Sequence, residues 1–207
     1  MLKYKDNLKN IIFDFGGVII DIDFQLTINK FKKLGILDFD QKFSQFLQDP
    51  VFDCYDIGKI SSEEFVKRLK KLVPEKISEN DILEAWNAMI LDIPKERIKL
   101  LENLRKNYRI FLLSNTNDIH YQLYIKNFYN KFGYKTFNDL FEKAYLSFEI
   151  GMRKPDAEIF NFVLKDSNLL PEETLFIDDS NQHIESAKKF GIHSYLLENE
   201  TINDILK

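Results

Sequence analysis

The stretch IIFDFGGVIID, residues 11–21, joins a short apolar run to one aspartate and two glycines. The run is too short and too apolar to be an amphipathic helix, and it predicts a buried β-strand. Asp14 then stands near the carboxyl end of that strand, as a candidate turn residue, metal ligand or nucleophile. The glycines that follow let the backbone approach a ligand closely. The other motifs of the sequence distinguish among these roles.

Further strands follow much later in the chain and alternate with helices. The segments with strand character are RIFLLS (109–114), YLS near 145–147, TLFIDD (174–179) and HSYLL (193–197). The segments with helical character lie near 118–131, after Pro155, and from Asn181 to a closing Gly191. Strands that alternate with helices indicate βαβ units and a parallel sheet. We therefore expect an α/β core.

The segment between the first strand and this alternation is helical. One predicted helix ends at Gly35, and another begins after Ser61, which stands at capping-box spacing from Glu64. Two more follow Ser78 and Pro94, with the proline in a first helical turn. The sequence predicts a core formed by residues 1–21 and 96–207, interrupted by a helical domain of residues 22–95.

Composition excludes several classes of protein. The 207 residues carry a net charge of −4, and this acidic balance offers no basic face for nucleic acid. No run approaches 18 apolar residues, and MLKYKDNLKN lacks the apolar segment of a signal peptide. The single Cys54 excludes an intrachain disulfide and a multi-cysteine zinc site. We expect a cytoplasmic protein with neither a nucleic-acid nor a membrane partner.

Polar side chains follow several of the predicted strands. These residues are Asp14, Ser114, Asn115, Asp178 and Asp179. Ligands of an open parallel sheet bind outside the carboxyl ends of its strands, so these side chains are expected to share one crevice. Three carboxylates there repel one another unless a cation lies among them, and an all-oxygen site favours Mg²⁺. Lys154, just before a helix, adds a second positive charge, and the set predicts a phosphate site.

The motifs DFGGV, LSNTN, GMRKP and FIDDSNQHIESAKKFG, in this order, resemble those of the haloacid dehalogenase-like hydrolase superfamily over essentially the whole chain. The nearest likeness is to its sugar-phosphatase branch, which includes bacterial α-glucose-1-phosphate phosphatases and the phosphatase domain of epoxide hydrolase. The resemblance implies a Rossmann-like parallel-sheet core with an inserted helical cap of the C1 type. It also implies a Mg²⁺-dependent phosphatase that acts on a small phosphorylated metabolite, such as a sugar phosphate.

The same resemblance assigns the catalytic and phosphate-binding residues. Asp14 matches the nucleophile, which attacks phosphorus and forms an aspartyl-phosphate. Ser114 matches the phosphate-binding hydroxyl, and Asn115 supplies a neighbouring amide. Lys154 matches the lysine that pairs with nucleophile and phosphate. The backbone at Gly16 and Gly17 is expected to approach phosphate and metal.

The resemblance also assigns a magnesium site. Asp14 and Asp179 match carboxylate ligands, and the backbone carbonyl of Gly16 matches a third ligand. Asp178 is expected to ligate through water or to steady the site. Mg²⁺ is the cofactor that this set implies.

Gly16 departs from the pattern of most phosphatases in this superfamily. They have a second aspartate two residues after the nucleophile, and it protonates the leaving alcohol and then activates water. General acid–base catalysis contributes roughly 10²–10⁴-fold to a rate. Asp21 or a cap residue supplies the proton, or the leaving group departs easily, as from an anomeric phosphate, or the protein binds phosphate esters and turns them over poorly. The resemblance favours the second explanation, and the alternatives stay open.

A metal-independent 2-haloacid dehalogenase is a rival interpretation, because those relatives also lack the second aspartate. The adjacent acids of LFIDDS oppose it, since they have no purpose beside Asp14 without a cation. Elsewhere, His120 and His183 are expected early in helices that face the crevice, with surface placement favoured over a substrate contact. Trp86 is expected in helix packing, with closure over substrate as the alternative. Arg153 is expected to touch substrate or solvent.

Overall fold

The structure is a computed structural model that describes residues 7–43 and 50–206. Over these ranges the chain forms one five-stranded sheet with the strand order β3-β2-β1-β4-β5, and every pairing is parallel. The strands are β1 (Asn10–Phe13), β2 (Arg109–Ser114), β3 (Lys143–Leu146), β4 (Thr174–Asp178) and β5 (His193–Leu196). The predicted Rossmann-like α/β core is confirmed.

Helices cover both faces of this sheet and fill the interval after β1. The helices of the described ranges are α1 (Phe24–Leu34), α2 (Phe39–Lys42), α3 (Pro50–Asp56), α4 (Ser62–Lys70), α5 (Glu79–Trp86), α6 (Lys95–Leu104), α7 (Asp118–Phe132), α8 (Ser147–Ile150), α9 (Ala157–Asp166), α10 (Asn181–Lys188) and α11 (Ile202–Ile205). Short 3₁₀ turns span Asn87–Met89, Phe137–Asp139 and Pro171–Glu173.

The central strand β1 is buried on both faces. Ile11 and Phe13 belong to one apolar cluster and Ile12 to another, because successive side chains of a strand point to opposite faces. Such a strand reads as a continuous apolar run, as in IIF. The pairing continues one residue further, since the Asp14 N–H donates to the Ile177 carbonyl at 2.9 Å. The sheet therefore holds Asp14 rigidly at the end of its central strand.

The helical insert has an apolar cluster of its own, drawn from residues between Ile28 and Met89. Trp86 lies inside it, with its ring centroid 4.9 Å from that of Phe43 and 5.5 Å from that of Phe52. A separate core is what an independent domain needs. The boundaries 1–21, 22–95 and 96–207 themselves remain a prediction.

Several element boundaries differ from those expected. α2 and α3 were not predicted, because helices of four and seven residues are shorter than the window in which helical periodicity shows. Pro94 caps α6 from outside, and the helix after Pro155 begins at Ala157. β4 ends at Asp178, so Asp179 lies beyond the strand. Consecutive strand-end residues point in different directions, and the two aspartates accordingly have different surroundings.

Candidate active site

A single cavity at the carboxyl ends of β1, β2 and β4 collects the site residues that the sequence predicted. Those that line it are Asp14, Gly16, Ser114, Asn115, Lys154 and Asp179. Asp178 lies directly behind, bonded to Lys154, and Gly17 lies directly against the Asp179 side chain. The strand ends meet because the sheet is parallel and each strand delivers its last residue to the same edge.

Lys154 is the buried positive centre of the cluster. Its Nζ donates to Asp14 Oδ1 at 2.8 Å and to Asp178 Oδ2 at 2.7 Å, and its side chain is 0% exposed. Burial opposes the charged form, but the two carboxylates raise the pKa of Lys154 above its ordinary value. The ammonium is therefore ionised at neutral pH and holds both carboxylates in place.

Asp178 is fully occupied by neighbours. Besides Lys154, it accepts the Ser180 N–H at 2.8 Å on Oδ1, and His183 Nδ1 lies 2.9 Å from the same oxygen. Burial alone would raise the pKa of Asp178, but Lys154 and His183 lower it to about 2. Both Asp178 oxygens thus stay charged and bonded, which suits a residue that positions Lys154.

Asp14 and Asp179 are the carboxylates of the acidic cluster that face the cavity. Burial raises the pKa of Asp14, against the opposing charge of Lys154. Burial and the charges of Asp14 and Asp178 together raise the pKa of Asp179 to about 7. One ammonium does not balance three carboxylates whose oxygens lie within 4.8 Å of one another. The donor set therefore fits a divalent cation held by oxygen ligands.

Asn115 fixes the segment that carries Lys154. Its Nδ2 donates to the Lys154 carbonyl at 2.8 Å, and its Oδ1 accepts the Lys154 N–H at 2.9 Å. The next residue is anchored as well, because the Thr116 N–H donates to Ser147 Oγ at 2.9 Å. The Asn115 side chain therefore positions Lys154, a contact that the sequence did not predict.

Gly17 has a steric reason to be glycine. Its φ is +72°, and a Cβ there would lie 2.3 Å from Asp179 Oδ2. We expect Gly17→Ala to displace Asp179 and to cost about 1–2 kcal/mol for the left-handed backbone alone. Gly133→Ala is the matched control, because Gly133 has φ +80° and open space around its Cβ position. Urea unfolding measures both variants, and an equal loss of stability in both would contradict the predicted clash with Asp179.

Residues outside the predicted site also line the cavity, some from the helical insert and others from the start of α7 and from the segment before Pro155. Asp56, Trp86, Asn117, His120 and Arg153 line it. His120 is 5% exposed and its ring centroid lies 4.9 Å from that of Trp86, and His183 is half-buried against Asp178. Both line the cavity, as expected of helices that face the crevice, but the favoured surface placement was wrong. Their buried contacts could not be found from spacing, because tertiary packing brings these segments together.

Asp21, one candidate for the missing acid, lies outside the cavity lining. It pairs with Arg97 at 2.8 Å, and its side chain is 47% exposed. Arg97 also donates to the Ile19 carbonyl at 3.2 Å, so the Arg97 side chain links α6 to the segment after β1. Asp21 therefore anchors the connection to the insert instead of facing Asp14.

None of the helices in the described ranges combines the length and the apolar character that crossing a bilayer requires. The parallel sheet and the acidic cluster define an enzyme with a Rossmann-like core, whose candidate nucleophile is an aspartate at the end of the central strand. A family model for haloacid dehalogenase-like hydrolases matches residues 8–191. The chain belongs to this family.

Similar proteins extend over nearly the whole chain. D-ribitol-5-phosphate phosphatase of Bacteroides thetaiotaomicron is 37% identical over 192 residues, which cover 93% of each protein. A solved structure of a haloacid dehalogenase family enzyme from the same organism, complexed with magnesium and inorganic phosphate, has a TM-score of 0.85 at 37% identity and covers 97% of this chain and 100% of that one. A predicted hydrolase of this family from Porphyromonas gingivalis has a TM-score of 0.85 at 32% identity, with 96% of each chain covered.

Proposed function

We propose that this protein is a Mg²⁺-dependent phosphatase that hydrolyses phosphate esters of small sugars or sugar alcohols through an aspartyl-phosphate. The observation that carries the proposal is the buried Lys154 ammonium, 2.8 Å from Asp14 at the end of the central strand. The relative that hydrolyses D-ribitol 5-phosphate supports the substrate class, since it is similar along 93% of both chains.

The metal site is proposed from the donor set. Asp14, Asp179 and the backbone carbonyl of Gly16 would hold Mg²⁺, with Asp178 steadying the site from behind. Bound there, the cation neutralises phosphoryl oxygens and the repulsion among the carboxylates. The similar structure that contains magnesium and inorganic phosphate supports this cofactor.

The protein groups divide the work of the reaction. Asp14 attacks phosphorus, and Lys154 keeps Asp14 ionised and faces the developing charge of the phosphoryl group. Ser114, at the end of β2, and the backbone of Gly17 and Asn115 bind the phosphoryl oxygens. The insert covers the cavity, excludes bulk water and selects the substrate. A small phosphorylated metabolite requires no nucleic-acid or lipid partner, and the single Cys54 fits a cytoplasmic location.

Phosphate release from a panel of esters tests this function. The panel contains D-ribitol 5-phosphate, α-glucose 1-phosphate and 4-nitrophenyl phosphate, each assayed with Mg²⁺ and with chelator. We expect release that requires Mg²⁺, because Asp14 and Asp179 otherwise repel each other and the phosphate. Chloride release from 2-chloropropionate in chelator would instead support the dehalogenase interpretation.

Thermal unfolding of the same protein distinguishes Mg²⁺ binding from turnover. A cation that binds only the folded state stabilises it, by about 2.7 kcal/mol at 100 times its Kd. Mg²⁺ should raise the Tm of the wild type, and Asp179→Asn should lose most of this increase. A Mg²⁺-dependent rise in Tm with no phosphate released from any ester would support a phosphate-binding protein, the interpretation that Gly16 motivates.

A further inference from the structure

The alkyl phosphates of the proposed function need a proton on the leaving oxygen, and Gly16 has no side chain that could supply it. We propose that Asp56, at the end of α3 in the helical insert, is the general acid and base of this reaction. The inference rests on the proposed function, because it assigns a proton donor to that hydrolysis. Asp56 lines the same cavity as Asp14 and is 8% exposed.

Asn117 holds the Asp56 carboxyl in a defined orientation. Its Nδ2 donates to Asp56 Oδ1 at 3.2 Å, and the same nitrogen lies 3.3 Å from His120 Nδ1. Its Oδ1 accepts the Trp86 Nε1–H at 3.3 Å and the His120 N–H at 3.2 Å, so the amide cannot turn over without losing these bonds. With a donor always on Oδ1, a proton carried by Asp56 sits on Oδ2.

His120 completes this arrangement as a neutral ring. Burial lowers the pKa of His120 to about 4, and its Nε2 lies 3.1 Å from the Trp86 carbonyl. A neutral ring with the proton on Nε2 donates to that carbonyl and leaves Nδ1 to accept from Asn117. Trp86, His120 and Asn117 thus form a connected network that ends at Asp56, and the network positions the carboxyl.

The surroundings of Asp56 suit proton transfer near neutral pH. Burial raises its pKa to about 6, although Arg153 and the bond from Asn117 act in the opposite direction. The charged and titratable groups that face it are Arg153, Asp53, Tyr55, His120 and Tyr124. Burial raises the pKa of Tyr124, and the charges of Asp14 and Asp56 both add to the shift. Both carboxylates therefore lie within electrostatic reach of one hydroxyl.

The other acidic residues considered for this role have different partners or functions. Asp178 is bonded on both oxygens, Asp179 belongs to the proposed metal site, and Asp21 pairs with Arg97 outside the cavity. In an in-line displacement the leaving oxygen departs on the side of phosphorus away from the nucleophile. The insert covers the cavity, and Asp56 is an acid of the insert that lines it, so Asp56 is able to present a donor there.

The proposed reaction consists of two displacements at phosphorus. Asp14 attacks phosphorus while the bond from phosphorus to the alcohol oxygen breaks, and the Asp56 proton moves to that oxygen and releases the alcohol. The Asp56 carboxylate then takes a proton from water, whose oxygen attacks the aspartyl-phosphate. The bond from phosphorus to Asp14 breaks, inorganic phosphate leaves, and Asp56 is protonated again.

The test compares two leaving groups on one protein. An alkoxide needs a proton to leave and a nitrophenolate does not, so the kcat/KM for D-ribitol 5-phosphate is divided by that for 4-nitrophenyl phosphate. We expect Asp56→Asn to lower this ratio by about 10²–10⁴-fold. Both substrates are measured on one preparation, so a partly folded sample changes both rates equally and cancels. Asp40→Asn, in α2 of the same insert, is the matched control and should preserve the ratio, because Asp40 is exposed and pairs with Lys32 outside the cavity lining.

The pH dependence supplies a second readout. The acid must be protonated for the alkyl ester to react, so the wild-type ratio should be highest below pH 6 and fall above it, following the Asp56 pKa of about 6. Asp56→Asn should flatten this dependence. Protein titrations that affect both substrates cancel in the ratio. The second phosphate pKa is lower for the aryl ester than for the alkyl ester, so each rate is first computed for the dianion of its substrate.

Three outcomes would overturn the inference. A ratio that Asp56→Asn leaves unchanged, while Asp14 and Mg²⁺ remain essential, removes Asp56 from the reaction and leaves the phosphatase intact. A ratio lost in His183→Gln instead assigns the proton to that histidine. If the wild type releases phosphate from neither ester, the proposed function fails, and this inference fails with it.

Discussion

Asp14→Asn is expected to lower kcat by on the order of 10⁴–10⁶-fold, the scale observed when a catalytic nucleophile is removed from an enzyme. The amide is close in size and keeps the place at the end of β1, but it cannot attack phosphorus. Lys154 keeps its bond to Asp178 at 2.7 Å, so the buried ammonium still has a partner. Phosphate release with saturating Mg²⁺ measures the effect, and circular dichroism checks the fold.

Asp21→Asn is the matched control for this prediction. Asp21 lies on the same segment after β1, but it pairs with Arg97 and is half exposed. We expect its loss to change kcat little. Turnover by Asp14→Asn within tenfold of the wild type would exclude Asp14 as the nucleophile and require another route for phosphate transfer.

Lys154→Met is expected to have the largest effect on stability, about 3–5 kcal/mol, because it leaves buried carboxylates without their shared ammonium. Lys154 is 0% exposed and bonds both Asp14 and Asp178. Its Nζ also lies 5.4 Å from the centre of the Phe176 ring, so the whole side chain is packed. Activity should fall together with stability, because Asp14 loses the charge that keeps it ionised. Urea unfolding gives the change in free energy.

The control for Lys154 is a lysine in an exposed ion pair. Lys143 bonds Asp166 at 2.6 Å with its side chain 47% exposed, and pairs of this kind contribute about 0–1 kcal/mol. A second variant, Lys154→Met with Asp178→Asn, removes one of the stranded charges and should recover part of the stability but no activity. If Lys143→Met and Lys154→Met cost the same, the buried cluster does not depend on this ammonium.

Three buried carboxyl groups at the site lower the free energy of unfolding when they are ionised, because burial disfavours their charged forms. Asp14, Asp56 and Asp179 all have a raised pKa, which means that the folded protein disfavours their ionised forms. Above pH 6 the folded chain carries the Asp56 charge at a cost that the unfolded chain does not have, and this cost declines as the pH falls from about 6 towards the ordinary Asp pKa of 3.8. Retaining such groups agrees with a catalytic use.

Much of the site was predictable because the strands that carry it are neighbours in one parallel sheet. Asp14, Ser114 and Asp178 end strands that pair side by side, so recognising each strand was enough to bring them together. Lys154 was predicted from its motif, although the contact that positions it, through Asn115, was not. The site residues of the core could therefore be grouped once a parallel sheet was recognised.

The sequence by itself determined the α/β core, the place of the helical insert and the acidic edge, because strand periodicity and strand-end polarity are local properties. Only the tertiary structure decided which side chains close the cavity from above. Asp56, Trp86 and His120 come from α3, α5 and α7, which meet through packing of apolar faces at large sequence separation. No local sequence pattern predicts contacts between these helices. The physical reason is that burial and hydrogen-bond partners, which set the pKa of Asp56 and the state of His120, exist only after the insert has folded onto the sheet.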